Sequence, residues 1–414
     1  MESIKLEKIE KSKNKVIYNF IASKNIKKYF NEEKFFVEYD TDVESIPDSI
    51  LSIPFVSIML PIIWCTNSIL WIYDIDRTFY EAIYRIKNAY QEMYPHFKLK
   101  GTVVPVKTIK NYYEYENEAI QLFSGGIDAH TTYIRIKNKN PILVNVYGWN
   151  KHLDESSIVF EKDMLDIKEF SNRNNLISKF VKSNFGTFIN TKEFDSLYSK
   201  KVGRSLWFGF QHSMAFISIA IPLAFKYKVK DIYIASSNTI GYRTECASDP
   251  TTDIEFKYST VGNTIHDGFE LNRQEKIKII TDYQKEINND YPVRVCSFND
   301  KNCCECEKCF RTILGLVAEG ADLEKFDFFI NGNLKDHFME VMNKKIHLLG
   351  LEKENEIYWG DIRKRMIENK ENIVEKDFVE WFLNYEFLKE RKSAILKYRI
   401  NNFPRLVKKK IMKR

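Results

Sequence analysis

Apolar positions along the chain follow two periods. At 15–20, 35–39 and 102–109 they form short runs rich in β-branched and aromatic residues, which predicts strands. From Asp76 to Tyr94, Phe79, Ile83, Ile86 and Tyr90 recur at helical spacing, which predicts an amphipathic helix. Ser49 to Tyr73 carries no charge and is long enough to suggest a membrane span. Pro54 and Pro61 interrupt it, however, and Thr66-Asn67-Ser68 reads as a turn before the strand-like Ile69–Tyr73. A buried helix, a turn and a strand are expected there, with no membrane contact.

From about Glu116 strands and helices alternate. Ala119–Phe123, Ile142–Val146 and Asp231–Ala235 read as strands. Ser205–Phe225 reads as a long apolar helix and Arg273–Ile287 as an amphipathic one. Such alternation implies βαβ units and a parallel sheet covered on both faces. Beyond Gly320 the chain is charged and helical, with Phe378, Trp381, Phe382 and Phe387 as its packing positions. The expected organisation is an α+β region over 1–115, an α/β region over 116–320 and a helical region over 321–414.

Composition narrows the class. Of 414 residues 44% are hydrophobic, which excludes a disordered chain. The net charge of +6 is too weak, over this length, to demand a nucleic-acid partner. Lys408, Lys409, Lys410, Lys413 and Arg414 cluster at the end; a solvated tail, a nucleic-acid contact and a membrane-surface contact are all open readings. Met1-Glu2-Ser3-Ile4-Lys5 shows no apolar signal segment, so a cytoplasmic protein is expected. Five of the seven cysteines lie between Cys296 and Cys309, unlike a secreted disulfide framework and like a metal site.

Two segments carry chemistry. In Leu122-Phe123-Ser124-Gly125-Gly126-Ile127-Asp128-Ala129-His130 a strand ends, two glycines turn, and a helix begins. Glycines let backbone N–H groups approach an anion closely, and a helix N-terminus adds unpaired donors and a positive dipole. Ser124 can donate to a phosphate oxygen, and Asp128 could hold Mg²⁺. The plain alternative is an ordinary strand-to-helix turn with Asp128 as its cap. In the second segment Cys296, Cys303, Cys306 and Cys309 supply four thiolates, a set that suits tetrahedral Zn²⁺ with no open catalytic position. An Fe–S cluster or a redox pair are the alternatives. Lys301, Lys308 and Arg311 would offset the negative charge. Cys304 is a fifth candidate, and Cys65 and Cys246 receive no role.

Together these segments resemble the PP-loop ATP pyrophosphatase family, whose signature is Ser-Gly-Gly-x-Asp-Ser after the first strand. The closest branch is the 7-cyano-7-deazaguanine synthases. The matching blocks are Ser124-Gly125-Gly126-Ile127-Asp128, Gly203-Arg204-Ser205-Leu206, Ile232-Tyr233-Ile234-Ala235 with its following loop, and the four cysteines with Arg311. They span about residues 116 to 320. Ala129 stands where the signature ends in Ser, and Cys304 where the cysteine motif usually has Gly.

The resemblance implies a parallel-sheet, HUP-like nucleotide-binding domain that uses ATP to adenylate a carboxylate and releases pyrophosphate. An amine or ammonia then displaces AMP. It assigns Ser124, Gly125, Gly126, Ile127 and Asp128 to pyrophosphate and Mg²⁺, and Arg204 to phosphate charge or substrate orientation. Ser236 and Ser237 follow a parallel strand, where ligands of open α/β sheets sit. Arg273 and Lys276, on one helix face by spacing, are further candidates for phosphate or substrate, and His266 for a base. Two other readings are a non-catalytic nucleotide-binding module, favoured by Ala129, and a tRNA-modifying enzyme of the same superfamily. The flanking regions suggest a bulky or protein-like substrate, or a protein partner.

Overall fold

A computed structural model describes residues 2–149, 157–296, 299–345, 353–386, 389–397 and 400. The chain divides into two compact units, Met1–Leu271 and Asn272–Arg414.

The first unit is built on ten strands: β1 (Ser3–Ser12), β2 (Lys15–Ala22), β3 (Lys34–Tyr39), β4 (Ile69–Asp76), β5 (Thr102–Ile109), β6 (Asn117–Leu122), β7 (Ile142–Tyr147), β8 (Ser178–Ser183), β9 (Val229–Ala235) and β10 (Asn263–Asp267). They form one mixed sheet in the order β10-β9-β6-β7-β8-β3-β2-β1-β4-β5. β10, β9, β6, β7 and β8 are mutually parallel. Counted from β6 in chain order, that half reads 3-2-1-4-5, the order of a doubly wound sheet. β3 joins β8 antiparallel through Val37↔Ser183 and so fuses the N-terminal strands to the parallel half. The break expected at residue 115 therefore falls inside one unit, and the unit boundary lies instead at Leu271/Asn272.

Two helices fill the core. In Asp48–Thr66 every residue from Ser49 to Trp64 is buried, and the helix runs on through Pro54 and Pro61. It packs against His212–Lys226, which is also almost wholly apolar. Asp48–Thr66 and the longer stretch Trp207–Lys226, which includes the turn ahead of the second helix, are long and apolar enough to cross a membrane, yet 89% and 78% of their apolar windows are buried inside the fold. A helix apolar on every side satisfies itself here by being surrounded with sheet and helix. Asn67, in the left-handed conformation, ends the first helix ahead of β4, which matches the expected helix, turn and strand.

The two ends of the sheet are tied together by polar bonds. Asp76, at the end of β4, accepts from the Ser259 N–H just before β10 at 2.9 Å and from Asn111 Nδ2, beyond β5, at 2.9 Å. Ser259 Oγ donates in turn to the Asn111 carbonyl at 3.0 Å.

The second unit is helical: Arg273–Ile287, Glu307–Ala318, Leu334–Lys345, Lys353–Glu368 and Lys376–Asn384. Buried Glu319 accepts from Arg365 Nη2 at 2.7 Å and Nε at 2.9 Å and from Gln274 at 2.8 Å. Phe338 packs on Phe378, Trp381 and Phe382, as the apolar spacing led one to expect. Phe387 and the basic cluster at 408–414 lie outside the described residues.

Candidate functional site

The glycine-rich turn sits at the carboxyl end of β6, whose neighbours are β7 on one side and β9 on the other. The chain leaves β6 toward β7 and later returns to its other side as β9. This reversal is the topological switch point, where strand carboxyl ends open a crevice for ligands. The register Leu122↔Val144 and Gln121↔Tyr233 sets the three carboxyl ends side by side.

Local bonds fix the turn. Phe123 N–H donates to the Val144 carbonyl at 2.8 Å, and Asn145 Nδ2 donates to the Phe123 carbonyl at 3.0 Å. Ser124 is exposed. Gly125 has φ +75°, in the left-handed region that favours glycine, and a Cβ there would meet no atom within 4 Å. The helix Ile127–Ile136 follows, with Gly126 as its N-cap and no side-chain cap. Asp128 is therefore a first-turn residue and not the cap of the plain alternative. Ala129 is buried, and its carbonyl accepts from Gln121 at 2.6 Å.

His130, to which the sequence assigned no role, lies beneath the loop. Its ring packs edge-on to Phe123 and Phe170, each with centroids 4.9 Å away, and is bonded to the Gly125 backbone. Burial pushes its pKa down to about 3, against the pull of that bond, so the ring is neutral at physiological pH. From the same helix Thr132 donates to Asp267 at 2.8 Å and Arg135 pairs with it at 3.2 Å, which ties the loop helix to the end of β10.

The other expected ligands differ in their availability. Ser237 is exposed at the end of β9. Ser236 is buried, and its hydroxyl donates to the Asn238 carbonyl at 2.8 Å, so it shapes the turn. Arg204 lies ahead of a π-helical turn, Trp207–Gln211, that opens the long helix, and pairs with Glu245 at 3.0 Å on the surface. His266 is side-chain buried, with Nδ1 2.8 Å from Asp253. Arg273 and Lys276 belong to the second unit. There Arg273 donates to Thr312 at 3.1 Å, and Lys276 is buried instead of standing on an open face.

The four cysteines form a candidate metal centre within the second unit. The ligand atoms of Cys296, Cys303, Cys306 and Cys309 all lie within 4.8 Å of one another. Asn302 draws the strands of this loop together: its Oδ1 accepts from Val295 N–H at 3.0 Å and its Nδ2 donates to the carbonyls of Val293 at 2.8 Å and Asp327 at 3.1 Å. Cys306 caps the helix Glu307–Ala318, which carries Cys309. The Cys309 thiol, donating to Cys306, is the main cause that pushes the Cys306 pKa down to about 5. Cys304 has φ +53°, in the left-handed region; its side chain is buried and its carbonyl bonds His337 at 2.9 Å. Arg294 contributes positive charge near Cys296, a residue the spacing did not single out. The group has the donors and closeness to hold a metal ion.

The chain matches no protein-family model, no curated protein and no solved structure.

Proposed function

We propose that the chain is an ATP-dependent, AMP-forming ligase similar to the 7-cyano-7-deazaguanine synthases. The observation that carries the reading is the glycine-rich, uncapped helix start at the switch point of a 3-2-1-4-5 parallel sheet. N–H donors of the loop and helix start would take the pyrophosphate of ATP, with Ser124 as a side-chain donor. Aligned there before reaction, they stabilise the charge that builds as pyrophosphate leaves the α-phosphate. Mg²⁺, held by Asp128, would add charge neutralisation. The activated carboxylate is then open to attack by an amine or ammonia, which displaces AMP. Zn²⁺ on the four cysteines is structural in this reading, since four thiolates leave no open position. A cytoplasmic setting keeps those thiols reduced.

A non-catalytic nucleotide-binding module is the second reading, and Ala129 favours it: no hydroxyl at this position can assist the phosphates. One assay separates the two. Zinc-loaded protein is incubated with Mg-ATP and a panel of carboxylates that includes 7-carboxy-7-deazaguanine. AMP plus pyrophosphate, lost in Asp128→Ala, supports the ligase. ATP binding without turnover across the panel supports the module, and tRNA carried through purification supports the tRNA-modifying alternative.

A further inference from the structure

Cys246 lies in the crossover that follows β9; two residues on, Ser248 donates to Asp253 at 3.0 Å, and Asp253 in turn is 2.8 Å from His266 near the carboxyl end of β10. Its Sγ is 3.8 Å from His212 Nε2. The other ring nitrogen, Nδ1, is 3.0 Å from the Trp207 carbonyl. A carbonyl only accepts, so Nδ1 carries the proton, and the Nε2 lone pair faces the thiol. The π-helical turn makes this possible: the Trp207 carbonyl receives both the backbone N–H and the ring N–H of His212. A nucleophile, a base within reach of it and a third group that fixes the base's tautomer make up the pattern of covalent catalysis. Cys246 is half-buried and open to solvent in part, whereas Cys304 is buried and bonded to the Asn302 carbonyl. Burial pushes the Cys246 thiol pKa up and the His212 pKa down, so the resting pair is neutral thiol and neutral imidazole. Asp253 and Asp249 add to the rise at Cys246, and the Ser248 N–H and Arg204 oppose it.

We propose that Cys246 is an acyl-accepting nucleophile with His212 as its general base. The proposal rests on the adenylating reading for its natural acyl donor. The Cys246 sulfur attacks the acyl carbon of the adenylate, and its proton passes to His212 Nε2. A C–S bond forms, the acyl–O bond to phosphate breaks, and AMP leaves with the electron pair. An amine or ammonia then attacks the thioester; the C–N bond forms and the C–S bond breaks. One amine proton passes through His212 to the leaving sulfur, and the proton taken in the first half is released to solvent. The acyl group is thereby held on the protein after AMP has gone, which suits a bulky amine acceptor.

The test has two arms. In the first, p-nitrophenyl acetate is added to the zinc-loaded full chain and acetyl groups are located by peptide mass spectrometry. Cys246 is expected to acetylate at least about tenfold faster than Cys65 or Cys304, in a hydroxylamine-sensitive bond, and His212→Asn to slow it at least about tenfold. Cys246→Ser, matched to wild type by circular dichroism, confirms the assignment by losing the thioester signal. An unacetylated Cys246, or an unchanged rate in His212→Asn, overturns the proposal. In the second arm, 7-carboxy-7-deazaguanine-dependent exchange of labelled pyrophosphate into ATP is compared with amide formation. Cys246→Ala should lower amide formation more than exchange; an equal effect on both overturns the proposal. Acetylation of Cys246 without exchange in the wild type would count against adenylation of this carboxylate and leave the nucleophile standing.

Discussion

The Sγ atoms of Cys303 and Cys309 stand 3.8 Å apart. A tetrahedral ion with bonds of about 2.3 Å to sulfur sets its ligands about 3.8 Å from one another, whereas a disulfide brings them to about 2.05 Å. The loop is thus shaped for an ion and not for a cross-link.

Metal analysis should accordingly give one zinc per chain. A strong chelator should expose four thiols to a chromogenic disulfide reagent, while Cys65, whose thiol burial pushes up, stays slow. Cys309→Ser should lose the zinc and lower the unfolding midpoint of the second unit, since metal binding and folding are coupled. Retention of one tightly bound zinc in Cys309→Ser would show that these thiols are not the ligands.

The loop glycine and a neighbouring glycine should respond differently to the same change. At Gly125 a Cβ has open space, so Gly125→Ala costs only the left-handed conformation, about 1–2 kcal/mol. At Gly148 a Cβ would fall 1.6 Å from the Ser183 carbonyl oxygen, which nothing but a backbone shift relieves. Urea midpoints should therefore fall modestly for Gly125→Ala and severely for Gly148→Ala. Isothermal titration with ATP should show at least about a tenfold loss for Gly125→Ala, because its loop N–H groups are re-aimed. Unchanged ATP affinity would remove this loop from the binding site.

Much of this was legible from spacing. Thr102–Ile109 and Arg273–Ile287 have the boundaries the pattern predicts, because a β-rich run and a strong 3.6 period each leave one reading. The spacing does not predict β1: its sequence, SIKLEKIEKS, alternates, but charges dominate its outer face. β8 and β10 are short and half polar, and only their neighbours make them strands. Long-range pairing was equally hidden; no local signal tells that β3 docks on β8 and fuses two regions. At the site, the glycine turn and cysteines were readable as local motifs. His212 and Cys246 were not, since they meet through a π-helical turn and a loop 34 residues apart.

Acid should weaken the first unit through His130. Its folded pKa of about 3 lies below the ordinary value of 6.5, so the unfolded chain binds the proton more tightly. The contribution is intact above the unfolded pKa and is lost as pH falls from there toward 3. Between pH 6.5 and 5 the loss is about 2 kcal/mol. His212, also shifted down by burial, adds in the same direction. His130→Phe should flatten this acid limb in urea titrations at pH 5 and pH 7. An equally steep limb in the variant would place the proton uptake elsewhere.

Asp76 should matter more than its distance from the site suggests. Its carboxylate accepts the Phe79 N–H as a helix N-cap, the Ser259 N–H and Asn111 Nδ2, all buried. Burial raises its pKa despite these bonds, so in this site the charged form is held at a cost. Asp76→Ala removes the one acceptor and leaves three buried donors unpaired, at about 1–3 kcal/mol each before relaxation. A total loss of at least about 3 kcal/mol is expected in the urea-derived stability of the first unit. Hydrogen exchange should localise it: the amides of β5 and of 258–262 should lose protection together, because one side chain joins both ends of the sheet. Loss confined to the Arg77–Met93 helix would mean that Asp76 acts as a cap alone.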